Sequence, residues 1–193
     1  MHRIIERLAR GMAVVGGTVL SLLIALTCLS VLGRFLNSFL HNQIETFAPG
    51  VAKWFLDLGI GPITGDFELV EAGVAFAIFA FLPLCQITAG HASVDVFTNL
   101  LPRRVNRFLI MVTEIVFGAV LVLIAWKLFD GMLSKRRYGE TTFLLQFPIW
   151  WAYAASLFAA VTAAIAGVYM ACVRVIEFFL GKSILHDALE NEL

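Results

Sequence analysis

Charge is what this chain has least of. Only 14 basic and 14 acidic residues occur among 193, so charged side chains make up 15%, where a soluble domain carries about a quarter. They cancel to a formal net charge of zero. No basic stripe and no recognisable motif is available for nucleic acid. Cysteine is equally sparse. Cys28, Cys85 and Cys172 each lie inside a long apolar run, with no CxxC or Cys/His spacing. They read as free thiols acting as small apolar fillers, not zinc ligands. The four histidines are His2, His41, His91 and His186, none deep in an apolar run. A haem carried between helices needs axial ligands on facing spans, so that pattern is missing. There is no Walker sequence, no Gly-rich nucleotide loop and no Ser-His-Asp elbow. The strict alternation of membrane β-barrel strands is missing too. The expectation is a protein without a cofactor, metal or catalytic set.

What the chain has is apolar length. Hydrophobic residues make up 60%, with a mean hydropathy of +0.89. That is too much apolar surface for one globular core, so the bilayer is the expected solvent. A spanning helix needs about 20 mostly apolar residues. Four windows qualify: about 11–36, 68–89, 108–129 and 148–173. The start "MHRIIERLARGMAVVGG" resembles a signal peptide, but the following run is too long and no A-x-A-like site follows it. It is expected to stay as a helix.

Four spans put both termini on one side. That side would hold Arg3, Arg7, Arg10, Arg103, Arg104, Arg107, Arg174 and Lys182; the other would hold Arg34, Lys53, Lys127, Lys135, Arg136 and Arg137. The leading arginines of span one favour termini in the cytoplasm.

Two connections carry amphipathic stripes. In the long first connection, Val51, Trp54, Phe55 and Leu58 fall at i, i+3, i+4 and i+7. This predicts a helix over about 48–60 lying in the outer interface or packed on the spans, with Trp54 at headgroup depth. In the second, Gly90 breaks span two, and Val94, Phe97 and Leu101 share a stripe over about 92–101 before Pro102 stops it. Arg103 and Arg104 then suit anionic headgroups. The expected fold is therefore an all-α integral membrane protein. It has four transmembrane helices, two amphipathic interfacial helices and both termini cytoplasmic, in one membrane domain over 1–193.

Few ionisable residues remain for chemistry. Glu68 and Glu71 open span two on one face, where carboxylates suit a helix N-terminus. Glu114 lies two turns into span three, as a polar tie to another helix or an ion site. His91 and Asp95 stand at i and i+4 without the further ligands a metal needs; they read as a polar latch at the end of span two. Lys135, Arg136 and Arg137 form a basic cluster, either a solvated helix end or a docking patch for an acidic partner. On span four, Ala155, Ala159, Ala163, Gly167 and Ala171 recur every fourth residue, a ridge for close helix packing inside the chain or with a partner. Pro83 frees the carbonyl of Phe79 and is expected to kink span two.

Several stretches together resemble a known family. "VLGRFL" ends span one at Arg34, "GDFELVE" enters span two, "GHASVDVF" with "LLPRR" follows it, and "TTFLLQFPIWWAY" enters span four. In order and spacing these resemble the small membrane subunit (DctQ-type) of tripartite ATP-independent periplasmic, or TRAP, transporters, over about residues 10–175. The long first connection departs from the family pattern. The resemblance implies a bacterial inner-membrane, accessory subunit in a sodium-driven, binding-protein-dependent secondary transporter for a carboxylate-type solute. Its partners would be a large membrane transport subunit (DctM-type), a periplasmic substrate-binding protein and the lipid bilayer. Two other readings compete. One is a membrane-embedded redox or metal enzyme subunit using His91, Asp95 and Glu114; the other is a self-contained small carrier.

Overall fold

The computed structural model describes residues 2–44, 50, 63–88 and 103–180. Four helices dominate: α1 (His2–Phe39), α2 (Asp66–Ile87), α3 (Arg103–Tyr138) and α4 (Ile149–Leu180). A π-helical turn, Leu40–Ile44, continues α1. No strand occurs among the described residues; the one β-like pairing is an isolated bridge between Thr141 and Pro148. All four helices are long and apolar enough to cross a membrane. The two expected interfacial segments, 48–60 with Val51, Trp54, Phe55 and Leu58, and 92–101 with Val94, Asp95 and Phe97, lie outside the described residues. So do His91 and the side chains of Arg103 and Arg104.

The helices outrun the apolar windows for a local reason. α1 begins nine residues before its greasy run, and there Arg10 and Glu6 pair at 2.7 Å one turn apart. α4 runs past residue 173, where Arg174 and Glu177 pair at 2.9 Å. α3 continues unbroken through the Lys135–Arg137 cluster. Polar residues at i, i+3 and i+4 support these extensions.

α2 is bounded sharply. Gly65 takes a left-handed conformation (φ 82°). A Cβ there would run into the Leu145 side chain, so glycine serves both the turn and the contact. Asp66 then accepts the Phe67 amide at 2.8 Å. At the far end, the Thr88 amide and hydroxyl both donate to the Leu84 carbonyl, at 3.0 and 2.8 Å. Pro83 sits buried within the helix, which continues through it.

Packing follows small residues. Lipid tails are as apolar as leucine, so helix association in a bilayer relies on close backbone approach. α1 and α2 run antiparallel with Gly16 against Ala80 and Gly73 against Leu23. α2 and α4 run parallel, with Ala80 beside Ala159 and Ile87 beside Ala166. α3 and α4 run antiparallel, with Gly118 against Gly167 and Gly131 against Tyr153. The order across the bundle is α1, α2, α4, α3. α4 is the hub: 44% of its most apolar stretch is buried, against 11% for α1. Ala159, Ala163 and Gly167 of the small-residue ridge are buried in these contacts, while Ala155 is exposed and Ala171 half-buried. The ridge's centre therefore serves packing within the chain.

Five hydroxyls inside the helices are satisfied locally. Thr18, Ser21, Thr27, Thr113 and Thr162 donate to carbonyls three or four residues back, which keeps a polar atom from facing lipid unpaired.

Candidate functional site

The polar side chains collect at the two ends of the bundle. At the end where α2 begins, the last third of α1 presents Ser30 and Arg34 on one face, four residues apart. Asp66 Oδ2 accepts from both: the Ser30 hydroxyl at 2.5 Å and the Arg34 guanidinium at 2.6 Å. Ser30 is fully buried, while the Arg34 side chain stays 57% exposed. The ends of two helices separated by a long connection are thus tied by one carboxylate. The sequence pointed to Arg34 and to the acidic entry of α2, yet Asp66 and Ser30 were missed as its working members. The available signal was the Ser-x-x-x-Arg spacing on one α1 face.

Glu68 works differently from a helix-dipole charge. Its two carboxylate oxygens accept the backbone amides of Leu144 and Leu145, at 2.6 and 2.9 Å. Those residues sit in the turn between α3 and α4, more than seventy positions away. Thr142 and Phe147 close the same turn, with the Thr142 amide donating to the Phe147 carbonyl at 3.0 Å and the Phe147 amide to Thr142 Oγ1 at 3.2 Å. The carboxylate thereby satisfies two amides that no strand or helix engages. A Glu68→Gln variant keeps one acceptor and turns the other into a donor facing an N–H. Hydrogen exchange at the Leu144 and Leu145 amides is expected to rise about tenfold or more as the turn opens locally, with the helices unchanged. Unchanged protection at both amides would count against this anchor.

The basic cluster is divided between tasks. Lys135 pairs with Glu140 at 2.6 Å, the Arg136 guanidinium lies 5.5 Å from the centre of the Trp150 ring, and Arg137 is exposed. Two of the three cations therefore brace the turn, by an ion pair and a cation–π contact.

At the opposite end, Gln86 of α2 donates to Glu114 of α3 at 2.6 Å, both buried. Toward the same end, α4 carries the pair Arg174–Glu177, about one turn apart and also largely buried, and Phe108 meets Phe178 at 6.1 Å between ring centres. Gln86, Arg174 and Glu177 were not singled out in the sequence, because an uncharged amide and a short-range pair look ordinary there. Glu114 is joined to another helix.

Between α2 and α4, with Leu128 of α3 alongside and the 139–148 turn above, lies a cavity of about 300 Å³. Glu68, Glu71, Tyr153 and Ser156 give it polar points; Phe79, Leu128 and several alanines give it apolar walls. The structure thus brings Arg34, Glu68 and Glu71 to one end and Glu114 to the other. Among the described residues, no three His, Cys, Asp or Glu side chains converge as a metal site. The three cysteines are unpaired thiols. What this arrangement does is brace helices: each polar contact joins segments distant in sequence or stiffens a helix end.

No curated protein and no solved structure is matched by this chain. Residues 23–177 match the family described as tripartite ATP-independent periplasmic transporters, DctQ component. That stretch runs from the middle of α1 almost to the end of α4 and contains both polar ends, and with most of its length matched the chain belongs to the DctQ family, the membrane components of TRAP transporters.

Proposed function

We propose that the chain is the stationary small subunit of a sodium-driven, binding-protein-dependent importer of carboxylate-type solutes in the bacterial inner membrane. It packs on a large membrane transport subunit, anchors that subunit's fixed part, and helps to dock the periplasmic binding protein. The observation that carries this reading is the bracing at both ends of the bundle. Asp66 ties α1 to α2, Glu68 ties α2 to the α3–α4 turn, and Gln86 ties α2 to α3 through Glu114. A part that must stay still while a partner slides needs such cross-ties. The flanks of α1 and α3 meanwhile leave Leu22, Leu29, Val116 and Leu123 exposed, an apolar surface for lipid or a partner helix.

With both termini cytoplasmic, the Arg34–Asp66 end and the 139–148 turn face the periplasm, and Arg137 is open to an acidic patch on the binding protein. The two interfacial stripes would resist tilt by holding Trp54 on one side and Arg103 and Arg104 on the other. His91 and Asp95 would then form a latch where α2 meets the second of them.

The test is sodium-driven uptake of small carboxylates into proteoliposomes holding the large subunit, with binding protein added and with or without this chain. Uptake is expected only with both membrane subunits. Asp in place of Val51, Phe55, Val94 or Phe97 is expected to weaken retention in the complex. Equal uptake without the chain would overturn the assignment, and intact assembly and uptake in all four variants would remove the anchoring role.

A further inference from the structure

The cavity beside Glu71 is not used by any contact described so far. It forms because α2 and α4 present small residues where larger ones would touch. Along α2, Glu68, Glu71, Ala72, Ala75 and Phe79 follow one helical face, and α4 answers with Ala152 and Ser156. Phe79 and Leu128, packed on the Leu121–Ala163 core, close the floor, and Thr142 and Phe147 form the roof.

Its polar groups differ in how far they are engaged. Glu68 is taken up by the amides of Leu144 and Leu145. Three other groups have no hydrogen-bond partner among the described residues: the Glu71 carboxylate, the Tyr153 hydroxyl and the Ser156 hydroxyl. Ser156 is the telling one. It is only 3% exposed, lines the cavity, and lacks the backbone bond that Thr18, Ser21 and Thr162 make on more exposed helix faces. Its oxygen is not sealed in the protein but opens on the cavity, where a group that enters from outside can reach it.

We propose that the cavity is a socket for a lysine side chain of the large membrane subunit. The inference rests on the chain being the small subunit of such a transporter. The chemistry selects the occupant. An ammonium has three donors and no acceptor, and the cavity offers three acceptors, one of them a carboxylate. The four-carbon stem of lysine needs apolar walls behind a polar tip, which Ala72, Ala75, Phe79 and Leu128 supply. An incoming carboxylate would meet Glu68 and Glu71 and be repelled. Glu71 both lines the cavity and is exposed, so a partner helix alongside α2 can deliver the side chain.

The test uses the two membrane subunits co-expressed, with an affinity tag on the large one. Zero-length carbodiimide coupling of the purified complex is expected to join Glu71 to a lysine of the large subunit, read by mass spectrometry and lost in Glu71→Gln. Recovery of the small subunit is expected to fall about tenfold in Glu71→Gln and in Ala75→Phe, which fills the socket, and to stay near wild type in Glu71→Asp. Circular dichroism of each variant checks that the helices persist; Glu71 is exposed, so its variants provide the reading even where Ala75→Phe misfolds. The inference is overturned where wild type co-purifies but Glu71 couples only to this chain's own lysines. It is equally overturned where both variants bind as wild type does, or where hexylammonium raises the melting temperature of the isolated subunit and the complex ignores both substitutions. Failure of wild type to co-purify at all would instead sink the subunit assignment itself.

Discussion

Leucine in place of Gly118 is expected to destabilise the bundle by about 3 kcal/mol or more, the upper range for overpacking a closed contact. A Cβ at Gly118 would lie 3.2 Å from the Gly167 carbonyl oxygen and 3.4 Å from its carbonyl carbon. Those atoms belong to backbone, so neither can rotate away; α3 must move off α4. Gly167 is the instructive contrast. Its Cβ would first meet Leu121 Cδ1 at 2.9 Å, the tip of a flexible side chain, and Gly118 Cα at 3.3 Å. Gly167→Ala therefore costs less, and the gain of about 1 kcal/mol in helix propensity offsets part of it. Reversible unfolding in mixed micelles, followed by circular dichroism, should rank the variants wild type, Gly167→Ala, Gly118→Ala, Gly118→Leu in falling stability. A Gly118→Leu protein as stable as wild type would mean that the α3–α4 approach is not what holds these helices together. In the complex, the same substitution should lower uptake through loss of the folded subunit, with no change in substrate preference.

The four helices were legible because hydropathy reports the bilayer directly. Their ends were not, because apolar content and helical hydrogen bonding stop at different places. The window 11–36 became His2–Phe39, since Arg3, Glu6, Arg7 and Arg10 are polar yet helical. The window 148–173 became Ile149–Leu180 for the same reason at Arg174 and Glu177. The window 108–129 became Arg103–Tyr138, one helix that runs on through the basic cluster. The small-residue ridge of α4 was visible as a period of four, but its direction was not. A helix stripe tells which residues share a face, and only the neighbours tell what that face meets.

The polar contacts were legible as parts and hidden as pairs. Arg34 and the acidic entry of α2 both stood out, but their pairing spans 32 positions and a long connection, and no local pattern encodes it. Glu68 looked like a carboxylate serving its own helix N-terminus; its oxygens serve another segment's amides instead. Backbone donors carry no sequence signature, so that role could not be read. Lys135, Arg136 and Arg137 looked like one patch, and Glu140 and Trp150 divide it. Ser156 and Tyr153 escaped notice because a lone hydroxyl in an apolar helix is ordinary until its partner is sought and not found.

Gln86 and Glu114 should show strong side-chain coupling across two helices. Both are nearly sealed, at 1% and 7% exposure, and lie 2.6 Å apart across two helices. The Arg34–Asp66 pair is as short, but its guanidinium stands more than half in solvent, where competing water and ions weaken a pair. Hydrogen bonds across membrane helices usually couple by about 0.6 kcal/mol and reach roughly 1.7, because the separated helices find other partners. A carboxyl group raises the stake, since bonds to such groups contribute about 1.5–3 kcal/mol. Gln86→Leu and Glu114→Leu should therefore each cost about 2 kcal/mol by leaving the other group buried without this bond. The double variant should cost about 1.5 kcal/mol less than the two singles added together, because it leaves neither group behind. A double-mutant cycle of unfolding free energies in micelles measures this. Coupling below about 0.5 kcal/mol would place Glu114's main interaction elsewhere and remove the tie between α2 and α3 from the bracing scheme. Coupling near the expected size would leave the bundle pinned at both ends of α2, which is what the stationary role proposed above requires.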